Sequence, residues 1–318
     1  MGTGTIATEH IVAAIRTVGH EVHWVVSRNR NYAKYFSEDM RIPKTSVEAR
    51  QALGDPQVDF VYVSAARDRR KHYIATAAAA GKHILCDGPI SSSSRVAGAL
   101  VQKCKEAGIS LTLNQPSRAS TIHQTMRRLL IEGEIGTLQS LLIVRGAPFQ
   151  SPPNRRNEDE EKEGNILLDF SAESIDLARF LTGQEPIDVS ALETAPSDTS
   201  QQISYAVRMS GGVLFQAYES FATAEIESVV MLAGSHGALI AHGTLNGKTS
   251  GTLIRRTNAR NELIPVRERD QHFTTIEGFL ASVRQPSTWM CQGDDCVTAL
   301  RTAEAIKSAG GKRRTIVI

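Results

Sequence analysis

Residues 58–89, VDFVYVSAARDRRKHYIATAAAAGKHILCDGP, constrain the fold of this chain more than any other stretch. Residues 59–63 form a short run rich in β-branched and aromatic side chains, the composition of a strand buried in a parallel sheet. Residues 71–80 are helical by propensity, and Gly81 supplies the residue beyond the helix end that tolerates a left-handed backbone. Residues 83–86 read as a second buried strand. Two parallel strands joined by a helix make a right-handed βαβ unit, and such sheets bind ligands at the carboxyl ends of their strands. The turn after Val63 and the corner Asp87-Gly88-Pro89 are therefore where chemistry is expected.

The N-terminus carries a second signal of the same kind. Gly2-Thr3-Gly4-Thr5-Ile6-Ala7 is a G-x-G-x-x-A turn entering a helical pattern at Ile11, Ala14, Ile15 and Val18. Its glycines allow a tight turn and let the backbone approach a pyrophosphate at the helix N-terminus. Residues 21–26 follow at the spacing of a second strand and end at Ser27 and Arg28. An acidic residue at such a strand end suits the ribose 2′-hydroxyl of NAD, whereas an arginine accommodates the 2′-phosphate of NADP. Ser27 and Arg28 thus point to NADP, with NAD as the alternative. Only Met1 precedes the turn, although a strand should, and that strand is central in a doubly wound sheet. A truncated start is expected, rather than a domain closed up around the gap.

A chain of 318 residues fits two domains. A net charge of +2 gives no global electrostatic case for nucleic acid or an anionic membrane. No apolar run reaches membrane-spanning length, and no signal-peptide pattern opens the chain. The four cysteines match neither a zinc site nor a disulfide framework, so a reduced, metal-free, cytoplasmic protein is expected. Residues 147–163, rich in proline and charge and including Arg155 and Arg156, read as a solvated surface loop. From Ile187 onward strands dominate, arguing for an open antiparallel sheet with helices on one face.

The segment AGKHILCDGPIS resembles the signature of the glucose-fructose oxidoreductase/inositol dehydrogenase family of NAD(P)-dependent enzymes. That family usually reads A-G-K-H-V-x-x-E-K-P, with a catalytic lysine; here Asp87 holds the glutamate position and Gly88 the lysine position. The family's T-P-N turn and following histidine fall on Ala65, Ala66, Arg67 and Arg70. Its arginine at the crossing into the second domain falls near Arg118, and Gly133-Glu134-Ile135-Gly136 resembles its G-x-I-G turn. Over residues 164–176 the family reads G-G-x-L-x-D-x-G-x-H-x-x-D, so Asp169 and Asp176 match while Glu173 replaces the histidine.

The resemblance implies an α/β protein in two parts. Residues 1–115 would form a Rossmann-like doubly wound parallel sheet, and residues 116–318 an α+β domain with an open, mainly antiparallel sheet. Cofactor contacts would come from Gly2, Gly4, Thr5, Ile6, Ser27, Arg28, Ala65 and Asp87. Arg67, Arg70, Arg118 and Asp176 would contact a small polar or anionic substrate, the first two as an anion clamp. Asp169 and Glu173 would carry the proton chemistry at the nicotinamide pocket, with burial side by side raising the glutamate pKa. A homodimer or homotetramer through the C-terminal sheet is expected. The alternatives are a non-catalytic, cofactor-binding regulator or partner subunit, and a non-redox hydrolase or lyase using Asp169 and Glu173.

Overall fold

The computed structural model describes residues 1–3, 7–148, 164–194, 201–224, 226–245, 250–258, 260–285 and 287–318. Gly4, Thr5, Ile6, Arg155 and Arg156 lie outside them. The chain divides into two compact units, Met1–Gln115 with Asp270–Val297, and Pro116–Arg269 with Thr298–Ile318.

The parallel strands of the first unit are β1 (Trp24–Val26), β2 (Lys44–Ser46), β3 (Phe60–Val63), β4 (His83–Asp87) and β5 (Leu111–Asn114), apolar in all but β2. β3 and β4 pair in parallel with Val61 opposite Ile84, and β4 and β5 with Ile84 opposite Leu111. The connecting helix spans Arg67–Ala79, four residues longer at its start than propensity predicts, and Gly81 closes the turn after it with a φ of +68°. Its arginine-rich entrance sits at a helix N-terminus, which opposes positive charge, so its placement owes nothing to the macrodipole.

Assigning all of residues 116–318 to a second domain needs correction at 270–297. That segment packs in the first unit because its helix Gln271–Arg284 is amphipathic. Ile276, Phe279 and Met290 join Val12, Ile15, Val25, Phe36, Tyr62 and Leu85 in one apolar core. Cys291–Gln292 also pairs with β5, antiparallel.

The parallel sheet is in two pieces, β1 with β2 and β3 with β4 and β5. Met1 and Gly2 bridge the facing edges of β1 and β3 at their carboxyl ends. The Met1 nitrogen donates to Tyr62 O (2.6 Å), Ser64 N donates to Met1 O (2.9 Å), and Gly2 N donates to Val26 O (2.9 Å). A cavity of about 260 Å³ lies beside them, lined among others by Ile15, Trp24, Val25, Phe60 and Val61. Backbone pairing by these two residues satisfies part of what a longer central strand would.

The second unit is organised on a sheet of β6 (Leu138–Gly146), β7 (Pro186–Glu193), β8 (Gln202–Met209), β9 (Leu214–Ser220), β10 (Val229–Gly234), β11 (Gly237–His242), β12 (Thr252–Thr257) and β13 (Asn261–Ile264). Its order is β13-β12-β11-β10-β6-β9-β8-β7, ending at Ile316–Val317. Neighbours run antiparallel except β6 and β9, which are parallel, so the sheet is mainly antiparallel as the strand pattern predicts. Helices Thr121–Ile131 and Ala172–Thr182 pack together, the former also against β11 and β12. No helix among the described residues is long and apolar enough to cross a membrane, and all four cysteines are buried free thiols.

Candidate active site

In the first unit the polar groups gather at the carboxyl ends of β3, β4 and β5. Asp87, last in β4, accepts from the Tyr62 hydroxyl (2.5 Å) and from Asn114 Nδ2 (3.0 Å) on one oxygen, Oδ1. The register that sets Asp87 beside Asn114 makes this contact automatic. Burial, then the charge of Asp87, push the Tyr62 hydroxyl well above its ordinary pKa, so it stays a donor. Gly2 has a φ of +100°, and a Cβ there would stand 2.6 Å from Ala65 N. The two expected cofactor residues thus touch backbone to backbone, a contact only glycine permits.

Ser27 is buried at the end of β1, with Arg28 exposed beside it. Arg70, expected as an anion clamp, instead donates to the carbonyls of Ala65 (2.9 Å) and Pro89 (2.6 Å). It braces the two strand ends and has two of its donors committed there, which corrects the clamp reading. Arg67 begins the helix half-buried.

Buried polar atoms of this unit without a hydrogen-bond partner among the described residues include Ser64 Oγ, Asn114 Oδ1 and His272 Nδ1. Buried polar groups normally find partners, and Ser64 and Asn114 stand at the carboxyl ends of β3 and β5, where the fold places ligands. With the close approach at Gly2, they fit a dinucleotide held along this edge. Gly2, Ser27, Arg28, Ala65 and Asp87 are the described residues that would hold it.

In the second unit, Leu167–Ser171 is a π-helical turn leading into helix Ala172–Thr182. Asp169 accepts from Asn165 N (2.9 Å), while Asn165 Oδ1 accepts from Leu167 N (3.1 Å), a reciprocal cap that fixes Asp169 at the helix start. Glu173, four residues on, accepts from Arg145 Nη1 (2.9 Å) and from the Ser117 hydroxyl. Burial pushes the Glu173 carboxyl up, but the Arg145 charge and the two hydrogen bonds outweigh it and hold its pKa below the ordinary value. The expected rise is therefore wrong in sign: an arginine partner, not a carboxylate, governs this residue. Glu173 is a fixed anion near neutral pH.

Arg145 lies over the Phe170 ring at 4.0 Å and also donates to Leu245 O (3.4 Å). In the parallel pairing of β6 with β9 it stands opposite Glu219. Glu219 is fully buried and accepts from the hydroxyls of Ser171 and Tyr205, the latter at 3.2 Å. Burial raises its pKa more than those bonds and the Arg145 charge lower it. One cation therefore stands between a carboxylate that stays ionised and one biased toward its protonated form.

Arg118 and Asp176, expected at the substrate, form a bidentate pair of 2.8 and 2.6 Å, with side chains 5% and 2% exposed. This corrects the substrate reading of Arg118 and Asp176, because such buried groups hold helices together rather than meet a ligand. His123 is also fully buried. Its Nδ1 bonds the Ser117 carbonyl (2.7 Å), which can only accept, so Nε2 accepts from the Thr244 hydroxyl (2.9 Å). Ser117, His123, Arg145, Glu219 and His272 escaped sequence reasoning. For Arg145 and Glu219 a signal existed, a charge closing an otherwise strand-like run, LLIVR and FQAYE.

A family model described as the oxidoreductase family, NAD-binding Rossmann fold, matches residues 1–115, and one described as the GFO/IDH/MocA C-terminal domain matches residues 123–240. The chain is 27% identical over 316 residues to a 1,5-anhydro-D-fructose reductase of Ensifer adhaerens, covering 97% of this chain and 94% of that protein. It is 24% identical to a D-xylose 1-dehydrogenase (NADP(+)) of Haloferax volcanii, covering 96% and 94%. The crystal structure of aldose-aldose oxidoreductase from Caulobacter crescentus, complexed with glycerol, superimposes with a TM-score of 0.88 at 23% identity, covering 100% and 98%.

Proposed function

Because the chain belongs to the Gfo/Idh/MocA oxidoreductase family, we propose that it is an NAD(P)-dependent oxidoreductase of a neutral sugar or polyol that prefers NADP. The observation that carries the substrate class is the disposition of arginine. Arg118 is paired with Asp176, Arg145 with Glu173, and Arg70 with two carbonyls. In the second unit an anionic substrate would meet the ionised Glu173, a quarter exposed, before the buried Arg118 or Arg145. A sugar hydroxyl would instead donate to it. The names of the relatives, a reductase and a dehydrogenase of sugars, support the same class.

When bound, the cofactor would supply or accept the hydride. The chain's own residues bind and orient. Asp87 offers a carboxyl group at the end of β4, oriented by its hydrogen bonds from Tyr62 and Asn114. Exposed Arg28, with buried Ser27 before it, supports NADP. Assembly through the second unit's sheet is part of the proposal, since the sheet leaves Leu192 and Leu263 exposed. Light scattering coupled to size exclusion reads it.

The test is NADPH and NADH titration by fluorescence, then turnover over paired panels of neutral polyols or aldoses and the corresponding sugar acids. Preference for NADPH and for the neutral panel is expected, and Arg28→Glu should reverse the cofactor preference. Higher kcat/KM for the sugar acids overturns the substrate class. Tight dinucleotide binding with no turnover on any panel assigns the chain to the regulator reading.

A further inference from the structure

Two strand edges of the first unit border the cavity beside Met1 and Gly2. Among the described residues β1 pairs as a strand only with β2, and β3 only with β4, so each keeps one edge on the cavity side. The bonds on the paired sides show which groups turn the other way. Ser27 N donates to Ser46 O and Lys44 N to His23 O, so the parallel ladder commits His23, Val25 and Ser27 to β2. His83 N donates to Asp59 O, which commits Asp59, Val61 and Val63 to β4 in the same way. The N–H and C=O groups of Trp24, Val26, Phe60 and Tyr62 therefore turn toward the cavity. Met1 and Gly2 take the first places on this double edge. Met1 N donating to Tyr62 O and Ser64 N donating to Met1 O is the bond pair of a parallel bridge to Val63. Gly2 N turns the other way, to Val26 O. The backbone at Met1 and Gly2 thus runs parallel to both edges and in register with both.

We propose that the cavity between β1 and β3 is a strand-accepting slot, and that its occupant is an extended apolar segment of about four residues in peptide linkage to the Met1 nitrogen. The register assigns its bonds. The residue before Met1 donates to Trp24 O and accepts from Val26 N. The residue before that donates to Phe60 O and accepts from Tyr62 N. The slot also sets the side chains. Val25 and Val61 from the two strands, Val12 and Ile15 from helix Val12–Thr17 and Phe36 from helix Arg30–Asp39 line it, all of them buried. A strand covered by such groups reads as a continuous apolar run rather than an alternating one. Glu21 and Asp59, both exposed, line the cavity ahead of β1 and β3, so a basic residue suits the start of the segment. Charge also favours linkage over a separate chain. Burial lowers the pKa of the Met1 amine to about 6. As an amide the same nitrogen keeps its bond to Tyr62 O with no charge to desolvate. A separate chain running in this direction would bury a terminal carboxylate beside that amine.

The first measurement is made on the chain as it stands. In NMR hydrogen exchange the Trp24, Val26, Phe60 and Tyr62 amides should exchange at least about 10²-fold faster than those of Val25, Val61 and Val63, which face β2 and β4. Equal protection of the two sets overturns the proposal. The second compares chains that carry Lys-Val-Ile-Val, Gly-Ser-Gly-Ser or Lys-Val-Pro-Val directly ahead of Met1. Lys-Val-Ile-Val should raise Tm by at least about 5 °C and slow the Val26 and Tyr62 amides by at least about 10²-fold. Gly-Ser-Gly-Ser should do neither. Lys-Val-Pro-Val should lose most of the gain, because its proline lacks the N–H assigned to Phe60 O. No gain from Lys-Val-Ile-Val, or an equal gain from Gly-Ser-Gly-Ser, overturns the proposal. The same apolar residues added as a capped free peptide at millimolar concentration should give less than half the effect. The full effect from that peptide overturns the linkage to Met1 and makes the slot a docking site for separate chains. If the extended chain is too insoluble to melt, the exchange contrast within the parent chain decides. None of these readouts uses a cofactor, so their failure and that of the oxidoreductase reading are distinguishable.

Discussion

Asp176→Asn separates a structural from a substrate role at the buried pair. The wild-type carboxylate takes Nε and Nη2 of Arg118 at 2.8 and 2.6 Å, and both side chains are almost wholly out of water. The guanidinium also lies over Phe180 at 5.5 Å, so it cannot simply swing to solvent without losing that contact. Asparagine keeps the shape and one acceptor but removes the charge, leaving a buried cation under-compensated. Breaking a buried pair from one side costs about 3–5 kcal/mol. The retained acceptor sets the expectation at the low end, about 3 kcal/mol, which for a unit of this size corresponds to a Tm drop of roughly 6–12 °C. Urea unfolding and calorimetry read it. The double variant Arg118→Met/Asp176→Leu should lose less than Asp176→Asn alone, because it removes both desolvated charges at once. A loss under about 1 kcal/mol with a tenfold higher KM would refute this reasoning and return Asp176 to the substrate.

Two other perturbations follow from the same unit and from the glycine turn. Glu219 has its folded pKa raised, so the stability linked to its protonation is present below the ordinary carboxyl value and is lost as pH rises through the window up to the folded value. Glu219→Gln removes that loss. Its Tm relative to wild type should therefore improve between pH 4 and pH 7, and a difference that stays flat or falls in differential scanning calorimetry contradicts the burial argument. Gly2→Ala must fit a Cβ 2.6 Å from Ala65 N at a φ of +100°, so NADPH affinity should fall at least about tenfold and the first unit should lose stability. Unchanged titration and melting curves would show that the approach of Gly2 to Ala65 is not needed.

The βαβ run was readable because each of its parts is local. A strand composition, an alanine-rich helix and a glycine at the helix end each act over a few residues, and the structure puts β3, the helix and β4 where they imply. The sites were less readable because their partners are remote. Arg118 meets Asp176 across 58 residues and Ser117 meets Glu173 across 56. Nothing in the spacing of Asp169, Glu173 and Asp176 on one helix says that Glu173 faces an arginine from a strand. Burial alone correctly raises a carboxyl, and that reasoning describes Glu219, but the residue to which it applied depended on where the cation fell. Arg70 shows the same limit. A basic helix entrance is compatible with anion binding, yet two carbonyls five and nineteen residues away claim it. The return of residues 270–297 to the first unit is also long-range, fixed by Ile276 and Phe279 finding the core around Ile11 and Ile15.

The arginine partner changes what restoring the family's residues would do. Gly88→Lys with Glu173→His supplies the lysine and histidine of the usual signature: on sequence alone dehydrogenase activity should rise if the site had merely decayed, and native activity should fall if it had been repurposed. In this structure Glu173→His removes the anion that compensates Arg145, whose side chain is only 9% exposed. A neutral imidazole leaves that cation facing Phe170 and Glu219, and a protonated one adds a second positive charge. Arg145 would then draw Glu219 toward ionisation, a carboxylate in a site with no exposure. Because Glu173 is a quarter exposed, the loss should fall somewhat below that of a fully buried pair, about 2–3 kcal/mol. The double variant is thus expected to fold less stably and to turn over more slowly than wild type. Adding Arg145→Met removes the orphaned cation, keeps an apolar stem over Phe170 and takes away the charge that draws Glu219 toward ionisation. The triple variant should regain most of the stability and show more turnover than the double. A double variant that is active and as stable as wild type would mean that Glu173 and Arg145 are independent, and that the histidine position was altered without regard to its neighbour.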